Sequence, residues 1–412
     1  MKLLIHGMNY APELVGIGKY TGELGAYLAS RGHQVTVLAA APYYPQWRVQ
    51  EDYRPQRWRR EWLDGVEVLR VPQYVPARVT GKGRLLQEIS FTGSCLYWWS
   101  TYLLGQPWDV MVAVCPPMTS GLVPGLLAKR RDLPLVIHVQ DLQLDAAREL
   151  GMLSQPVLLH GLAGLERRLF RRAQAVTTIS RSMAERLAAK GVPGSRLHLL
   201  PNWADLENIR PESRQNDIRR ELGLTSETVV LYAGNLGVKQ GLEVVLQAAV
   251  LTREEPSIRY LMAGEGAARE RLMWLAQNLG LDNLGFLPLQ SDRRFPLLLA
   301  AADIHLVVQR RQAADLVMPS KLPNIMAAGR PFIATADAGT ELGRVANESQ
   351  AGLLTPAEDA GSLAQAIRRL ATDSGLRKRL AVQGRQYAEA HWGREQLLRQ
   401  WEELLLGLST KA

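Results

Sequence analysis

Residues 2–39 read KLLIHGMNYAPELVGIGKYTGELGAYLASRGHQVTVLA, and this stretch decides the fold class. An apolar run at Lys2–Gly7 predicts a buried strand, and a second run at Gln34–Ala39 predicts another. Between them, Met8–Gly18 is typical of a loop and Lys19–Ser30 of a helix. A strand, a glycine-containing loop, a helix and a strand in this order open a doubly wound parallel sheet. The sequence therefore predicts an α/β protein.

The loop carries two glycines, Gly16 and Gly18, after the carboxyl end of the first strand. Because glycine lacks a Cβ, its backbone can approach a ligand closely at this edge of the sheet. The spacing is not G-x-G-x-x-G, so the fingerprint of dinucleotide-binding proteins is missing. A tight turn without a ligand explains the same glycines, and the residues alone leave both interpretations open.

The same alternation of strands and helices restarts in the second half of the chain. Polar residues after Pro201 are typical of a linker, and further apolar runs such as Ile258–Ala263 follow it. The length of 412 residues suits two domains of about 200 residues each. We predict two Rossmann-like domains, at 1–200 and 201–385, and C-terminal helices at 386–412 that pack back on the first domain.

Composition indicates a folded protein with a basic N-terminal half. Hydrophobic residues make up 47% and charged residues 22%, and the two cysteines provide neither a disulfide framework nor metal-ligand spacing. The formal charge is +9, and residues 1–200 hold 24 basic and 15 acidic residues against 25 and 25 in the remainder. A basic half of this kind could bind nucleic acid, an anionic membrane or a phosphorylated substrate. No nucleic-acid-binding module, signal peptide or membrane-spanning run is predicted.

Aromatic residues and arginines alternate in Pro42–Trp62, which we predict to be a long irregular segment. An apolar helix is predicted at Gly83–Leu104. This composition is typical of a membrane interface or of a sugar and phosphate site, although a solvated loop beside a core helix explains it equally well. The candidate membrane or acceptor residues are Trp47, Arg57, Trp58, Arg59, Arg60, Trp98 and Trp99.

Three turns in the second half are predicted to face a ligand at strand ends: Gly234–Lys239, Gly264–Gly266 and Pro319–Leu322. In the last, Ser320 is expected to cap a helix, and Lys321 follows it. Backbone amides, a helix N-terminus and lysines together suit a diphosphate. There is no Walker A motif, no Asp-x-Asp pair and no His/Cys cluster with metal spacing in the sequence. We therefore expect protein groups to meet the diphosphate charge, without a metal or other cofactor.

His138 and Asp141 follow the predicted strand Leu135–Val139. The carboxyl end of a parallel strand is where open α/β sheets bind ligands, so both residues are candidates for catalysis. A histidine packed in the core is the alternative interpretation of His138, and the residues alone favour it.

Five segments together resemble the retaining GT-B glycosyltransferases of family 4. They are NYAPELVGIGKYTGE at 9–23, GHQV at 32–35, PYYP at 42–45, YAGNLGVKQG at 232–241 and PSKLPNIMAAGRP at 319–331. Within that family the chain is most similar to the group of colanic-acid fucosyltransferases and N-acetylfucosamine transferases. The resemblance covers nearly the whole chain, and it implies two Rossmann-like domains that face each other across a cleft.

The resemblance also implies a role for each candidate residue. The donor is implied to contact Gly16, Gly18, Asn235, Lys239, Glu265, Gly266, Ser320, Lys321, Leu322 and Asn324, with Glu265 and Gly266 near the base. His138 or Asp141 is implied to face the transferred sugar. Many relatives have arginine where this chain has Asn235, and glutamates where it has Leu316 and Asn324. Asn324 can still bind a ribose hydroxyl, but more weakly than a carboxylate.

The function implied is transfer of a sugar, with fucose, another 6-deoxyhexose or an N-acetylhexosamine as candidates, from a UDP- or GDP-sugar. The acceptor implied is a lipid-linked saccharide of exopolysaccharide or O-antigen synthesis, at the cytoplasmic face of an anionic membrane and without nucleic acid as a partner. Two alternatives stay open: a non-catalytic nucleotide-sugar-binding or scaffold protein of a polysaccharide assembly complex, and a nucleotide-sugar 2-epimerase.

Overall fold

The computed structural model describes residues 1–78, 80–145, 156–311 and 319–409. The chain divides into two compact units, and each of them is built around its own sheet. The first unit comprises Met1–Pro201 together with Glu395–Ala412, and the second comprises Asn202–Arg394.

The first unit holds a mostly parallel sheet. Its strands are β1 Lys2–His6, β2 Gln34–Ala40, β3 Arg59–Leu63, β4 Val66–Val71, β5 Val110–Cys115, β6 Leu135–Val139, β7 Ala175–Thr178 and β8 Leu197–Leu199. Within the described residues their order is β3-β4-β2-β1-β5-β6-β7-β8, and only β3 runs antiparallel to its neighbour. Every residue of β4, β5 and β6 is buried, as expected for a parallel sheet that is covered on both faces.

The helices of the first unit begin at local signals. They are α1 Ile17–Ser30, α2 Gly81–Thr101, α3 Leu122–Arg131, α4 Pro156–Arg172 and α5 Arg181–Ala189. Thr80 caps α2 by accepting a hydrogen bond from Gly83 N, and Ser180 caps α5 by accepting one from Met183 N. No helix among the described residues combines the length and the apolarity that crossing a bilayer requires.

The second unit holds an all-parallel sheet. Its strands are β9 Thr228–Ala233, β10 Ile258–Ala263, β11 Leu284–Leu287, β12 Ile304–Val308, β13 Phe332–Thr335 and β14 Gly352–Thr355, and their order is β11-β10-β9-β12-β13-β14. The helices of this unit are α6 Asp217–Glu221, α7 Glu243–Leu251, α8 Arg269–Asn278, α9 Phe295–Ala301, α10 Leu322–Ala327, α11 Glu341–Ser349, α12 Ala360–Thr372 and α13 Ser374–His391. Apolar residues of α7, α12 and the central strands form its largest buried cluster.

The last helix, α14 Arg394–Ser409, belongs to the first unit. Trp401 is buried against His138, and Glu402 accepts a hydrogen bond from Tyr27 and lies 3.0 Å from His33 Nε2. The boundary that we expected at residue 385 falls inside α13, a helix of the second unit.

One strand differs from the sequence-based expectation. Arg59–Leu63 forms β3, although we predicted an irregular segment there. This strand lies at an edge of the sheet, where Arg59 and Arg60 are exposed and Trp62 is 65% exposed. An edge strand with charged outward residues lacks the apolar run on which the prediction depended.

Candidate functional site

Two glycine turns lie side by side in the second unit, where β9 and β10 end. Gly234 N donates to Ala263 O at 2.8 Å, and Leu236 N donates to Glu265 O at 2.8 Å. Gly234 and Gly264 both have a φ of 141°, a backbone conformation that favours glycine. A Cβ on Gly264 would overlap the carbonyl oxygen of Gly234. Gly264 is buried, so the two turns form one surface by packing backbone against backbone.

Gly266 completes this surface and requires glycine for the same reasons. Its φ is 154°, and a Cβ there would lie 2.5 Å from both Asn235 Oδ1 and Leu236 O. Asn235 is exposed, and Glu265 is half-buried and pairs with Arg269 at 3.7 Å. A group with hydrogen-bonding atoms, such as a tetrahedral phosphate or the edge of a flat nucleobase, can approach backbone of this kind closely.

Lys321 brings a basic side chain to these turns. Its Nζ is buried, lies 3.4 Å from the centroid of the Tyr232 ring, and is 3.0 Å from the position of a Cβ on Gly234. Burial lowers the pKa of Lys321 well below its usual range. The structure therefore places this predicted donor residue at the turns that were predicted from glycine spacing.

The helix that follows Lys321 begins differently from the prediction. Helix α10 begins at Leu322, and Lys321 rather than Ser320 occupies the N-cap position, without a side-chain hydrogen bond. The prediction that Ser320 caps the helix is therefore wrong, and Ser320 is exposed. Leu322 is fully buried, and its amide already donates to Pro319 O at 3.1 Å. Pro323 has no amide hydrogen, so neither Leu322 nor Pro323 offers a free amide to an anion.

Two further predicted donor residues lie close by in sequence. Asn324 is buried in α10, and Lys239 lies in the 3-10 turn Val238–Gln240. Arg310 Nε donates to Val238 O at 2.8 Å, which anchors this turn to the end of β12. Leu316, the other departure from the pattern of relatives, lies outside the described residues.

The glycine loop of the first unit is built around a buried glutamate that the sequence analysis missed. Gly16 has a φ of 68° and stands at the start of α1. A Cβ on Gly18 would overlap the carboxylate of Glu13. Glu13 accepts hydrogen bonds from the amides of Tyr43 and Tyr44, both at 3.1 Å, and from Asn9 Nδ2 at 2.9 Å. One carboxylate therefore fixes the loop that bears both glycines.

Burial raises the pKa of Glu13 to about 7, against the hydrogen bonds that favour the carboxylate. Since the folded state binds this proton more tightly than the unfolded state, the stabilisation is present below about pH 4.5 and is lost as the pH rises through 7. Between pH 5 and pH 8, the original protein should lose about 2 to 3 kcal/mol of unfolding free energy, because Glu13 becomes charged. Glu13→Gln should not show this loss, so its stability relative to the original protein should rise by that amount. Urea unfolding at both pH values measures this gain. The exposed Glu254→Gln serves as control, and an equal effect of the two substitutions would contradict the assignment.

The two candidate catalytic residues differ in their surroundings. His138 is buried, with Nδ1 2.8 Å from Thr177 Oγ1 and its ring 4.8 Å from that of Trp401. Burial lowers the pKa of His138 to about 3, so the imidazole is neutral and packed inside the first unit. The structure supports the alternative of a core histidine. Asp141 is half-buried in the loop after β6.

The candidate membrane residues do not form one surface. Trp99 is 2% exposed and lies 5.9 Å from the His6 ring, so the prediction is wrong for this residue. Trp98 Nε1 donates to Arg70 O and Trp58 Nε1 donates to Ser94 O, both at 2.9 Å. These tryptophans are held by the fold, although Trp58 is still 45% exposed.

The remaining candidates of this group lie on β3 and the segment before it. Trp47 is half-buried beside Tyr43 and the guanidinium of Arg84, and Arg57 is exposed. Arg59 pairs with Glu61 at 3.1 Å, and Arg60 pairs with Glu67 at 2.5 Å. Partial neutralisation by these glutamates weakens the case for the two arginines as a membrane contact.

An exposed apolar face lies instead on α2. Its members recur at helical spacing and are each about half exposed: Leu85, Leu86, Ile89, Leu96 and Tyr97. Lys82 is exposed at the start of the same helix, and the Tyr97 ring lies 5.2 Å from that of Trp58. An apolar helix was predicted here, but the candidate contact residues Trp98 and Trp99 lie on its other faces.

Comparison with known proteins identifies the class. Solved structures of GT-B glycosyltransferases share this fold, and their low identity makes the likeness one of fold alone. Sucrose-phosphate synthase from Thermosynechococcus elongatus superimposes with a TM-score of 0.78 at 20% identity, over 100% of both chains. Anabaena HepE in complex with UDP-glucose gives a TM-score of 0.73 at 16% identity, over 99% of this chain and 100% of that one. The prediction of two Rossmann-like domains of the GT-B class is confirmed.

Sequence comparison then identifies the family. The family described as Glycosyl transferase 4-like domain matches residues 15–203, and Glycosyl transferases group 1 matches residues 214–387. A putative colanic acid biosynthesis glycosyl transferase, WcaI, from Escherichia coli K12 is 38% identical over 97% of this chain and 98% of its own length. The N-acetyl-alpha-D-glucosaminyl L-malate synthase of Bacillus anthracis is 22% identical over 98% and 97%. The chain belongs to the GT4 glycosyltransferases.

Proposed function

We propose that this glycosyltransferase moves a sugar, with retention of configuration, from a UDP- or GDP-sugar to a lipid-linked saccharide in exopolysaccharide synthesis of the colanic-acid kind. The observation that carries the proposal is the surface of Gly234, Gly264 and Gly266 with the buried side-chain nitrogen of Lys321 beside it. The relative from Escherichia coli supports the class of pathway, since it is similar over nearly the full length of both chains.

Departure of a nucleoside diphosphate leaves positive character on the sugar and negative charge on the phosphate. Backbone dipoles and a cation that are already in place stabilise that charge without reorganisation. Lys321, protonated in the donor complex, supplies one such cation, and Lys239 is proposed as the second on the basis of the family resemblance. The leaving phosphate also takes the proton of the acceptor hydroxyl from the same face. This scheme gives retention and assigns no step to a metal ion.

The transferred sugar is proposed to be fucose, another 6-deoxyhexose or an N-acetylhexosamine. This choice depends on the resemblance to the fucosyltransferase group, and Asn324 is proposed to bind the donor ribose in place of the usual glutamate. Because an amide binds a hydroxyl less strongly than a carboxylate does, the phosphate contacts carry more of the donor affinity here.

The test is a donor panel with the purified full chain. UDP- and GDP-sugars are incubated with a prenyl-diphosphate saccharide, with and without a chelator, and the anomeric configuration of the product is determined by NMR. Transfer with retention from one donor class, unchanged by the chelator, is expected. Tight donor binding without transfer or hydrolysis of any donor would favour a non-catalytic binding role.

The lipid-linked acceptor requires contact with the cytoplasmic face of an anionic membrane, and we propose the apolar face of α2 for that contact. Half-exposed leucines and an isoleucine beside a lysine are typical of helices that lie in the interface of a bilayer. The basic excess of the N-terminal half adds attraction to anionic lipid.

We expect the double substitution Leu86→Glu with Ile89→Glu to weaken binding to anionic vesicles about tenfold or more, because two buried apolar contacts become charged. Co-sedimentation with vesicles of phosphatidylglycerol and phosphatidylethanolamine measures the change. Trp274→Glu is the matched control, since Trp274 is 62% exposed on α8 of the second unit. Equal binding of both variants would exclude α2 as the contact.

A further inference from the structure

The side-chain nitrogen of Lys321 lies in an unusual environment for a lysine. Its Nζ is out of contact with solvent and has no hydrogen-bond partner among the residues that the structure describes. The residue as a whole is half-buried, so its exposed surface belongs to other atoms of the residue. A charged ammonium group has three N–H donors, and a buried donor without an acceptor costs free energy.

The face of the Tyr232 ring is the contact that holds this group. The 3.4 Å distance between Lys321 Nζ and the ring centroid is well within the range of a cation–π interaction. Tyr232 is fully buried in β9, and its hydroxyl donates to Asn235 O at 2.9 Å. The same side chain therefore supports the lysine with its ring and the turn at Gly234 with its hydroxyl.

Within the described part of the chain, the neighbouring ionisable groups do not neutralise Lys321. On β12, burial lowers the pKa of His305 to about 3, so this imidazole stays neutral. On the adjacent turn, Glu265 pairs with Arg269. Arg330, which follows α10, donates to Glu212 O and Ala300 O and adds no negative charge. The ring supports a positive charge but accepts no strong hydrogen bond, so the ammonium form gains most from an anion at Gly234.

We propose that Lys321 takes up a proton from solvent when a nucleoside diphosphate binds at Gly234, and that Tyr232 is the positioning residue that holds the amine there beforehand. The proton goes to Nζ, and the resulting ammonium group donates to phosphate oxygens. This inference rests on the proposed donor site and adds to it a linkage between donor binding and pH. Donor affinity falls as the pH rises through the range in which the free amine is deprotonated and the bound one is not.

The test is calorimetric titration of the full chain with UDP and with GDP at pH 8.5. The terminal phosphate is fully ionised there, so it takes up no proton itself. Titrations in buffers of different ionisation enthalpy give the number of protons taken up on binding. We expect a clear uptake by the original protein. Lys321→Arg should bind with no uptake, because a guanidinium is charged at every pH used. Lys321→Met should bind about 10- to 100-fold more weakly.

Variants of Tyr232 separate positioning from a purely structural role. Tyr232→Phe retains the ring and loses only the hydroxyl, so the pH midpoint of proton uptake should stay unchanged. Tyr232→Leu removes the aromatic face and should shift that midpoint. The same midpoint in both variants would overturn the role of Tyr232.

The outcomes also separate this inference from the proposed function. Nucleotide binding with a heat that does not depend on the buffer would overturn proton uptake while leaving the donor site in place. Uptake of equal size in Lys321→Arg would assign the proton to another group and overturn the inference. Absence of binding by both UDP and GDP would overturn the donor site and the inference together.

Discussion

Gly264→Ala is expected to abolish nucleotide binding and to lower the unfolding free energy of the second unit by at least about 3 kcal/mol. The added Cβ would overlap Gly234 O and lie 2.9 Å from the Gly234 carbonyl carbon. Both partners are backbone, so no side chain can move aside. The φ of 141° adds strain for any residue with a Cβ. Relief requires the turns at Gly234 and Gly264 to separate, which breaks the surface that carries the proposed donor.

Gly280→Ala is the matched control for that substitution. Gly280 also has a positive φ, 61°, but a Cβ there has open space within 4 Å. We expect Gly280→Ala to lower the unfolding free energy by about 1 kcal/mol and to leave nucleotide binding unchanged, because it adds backbone strain but no steric overlap. Urea unfolding and UDP titration of both variants separate the clash from the strain. If Gly264→Ala lowers the unfolding free energy no more than Gly280→Ala does, the close approach of the two turns would be contradicted.

Much of the fold was predictable because parallel strands buried on both faces are read from continuous apolar runs. Ile258–Ala263 and Leu135–Val139 are examples in which the run and the strand coincide. The edge strand Arg59–Leu63 was missed, because its pairing with β4 depends on a neighbouring strand rather than on its own composition. An exposed edge strand can carry arginine and tryptophan, and a sequence with these residues is easily mistaken for a loop or an interface.

The site was predictable where it depends on backbone conformation. Gly234, Gly264 and Gly266 could be found because glycine is the residue that a positive φ favours at a strand end. The contact of Lys321 with Tyr232 could not be found, because 89 residues separate them and no spacing rule links them. The role of Glu13 was missed for the same reason, since its partners include the amides of Tyr43 and Tyr44.

The C-terminal helix shows most clearly how a distant segment changes the meaning of a residue. Trp401 lies on α14, the helix that ends the described chain, yet it packs edge-on against His138 at an interplanar angle of 84°. Nothing in the sequence around Leu135–Val139 indicates this partner. A histidine at a strand end looks like a catalytic candidate until the helix that covers it is known.

Trp401→Ala is expected to lower the unfolding free energy of the first unit by about 3 to 5 kcal/mol, the usual cost of truncating a buried tryptophan. Trp401 is 1% exposed, and its neighbour Glu402 anchors the same helix to Tyr27 and His33. Loss of the indole opens His138 to water, so the pKa of His138 should rise from about 3 towards its ordinary value. Urea unfolding measures the first effect, and NMR titration of the histidine ring measures the second.

Trp274→Ala is the control for truncation of a tryptophan, because Trp274 is 62% exposed on α8. We expect it to change the unfolding free energy by less than about 1 kcal/mol. An equally small effect of Trp401→Ala would contradict the docking of α14 on the first unit. If Trp401→Ala keeps its unfolding free energy and the low pKa of His138 but loses sugar transfer, His138 would again be a candidate for catalysis. If sugar transfer instead falls in proportion to the unfolding free energy, the loss follows from packing. The indole and the imidazole then act only by filling the interior of the first unit.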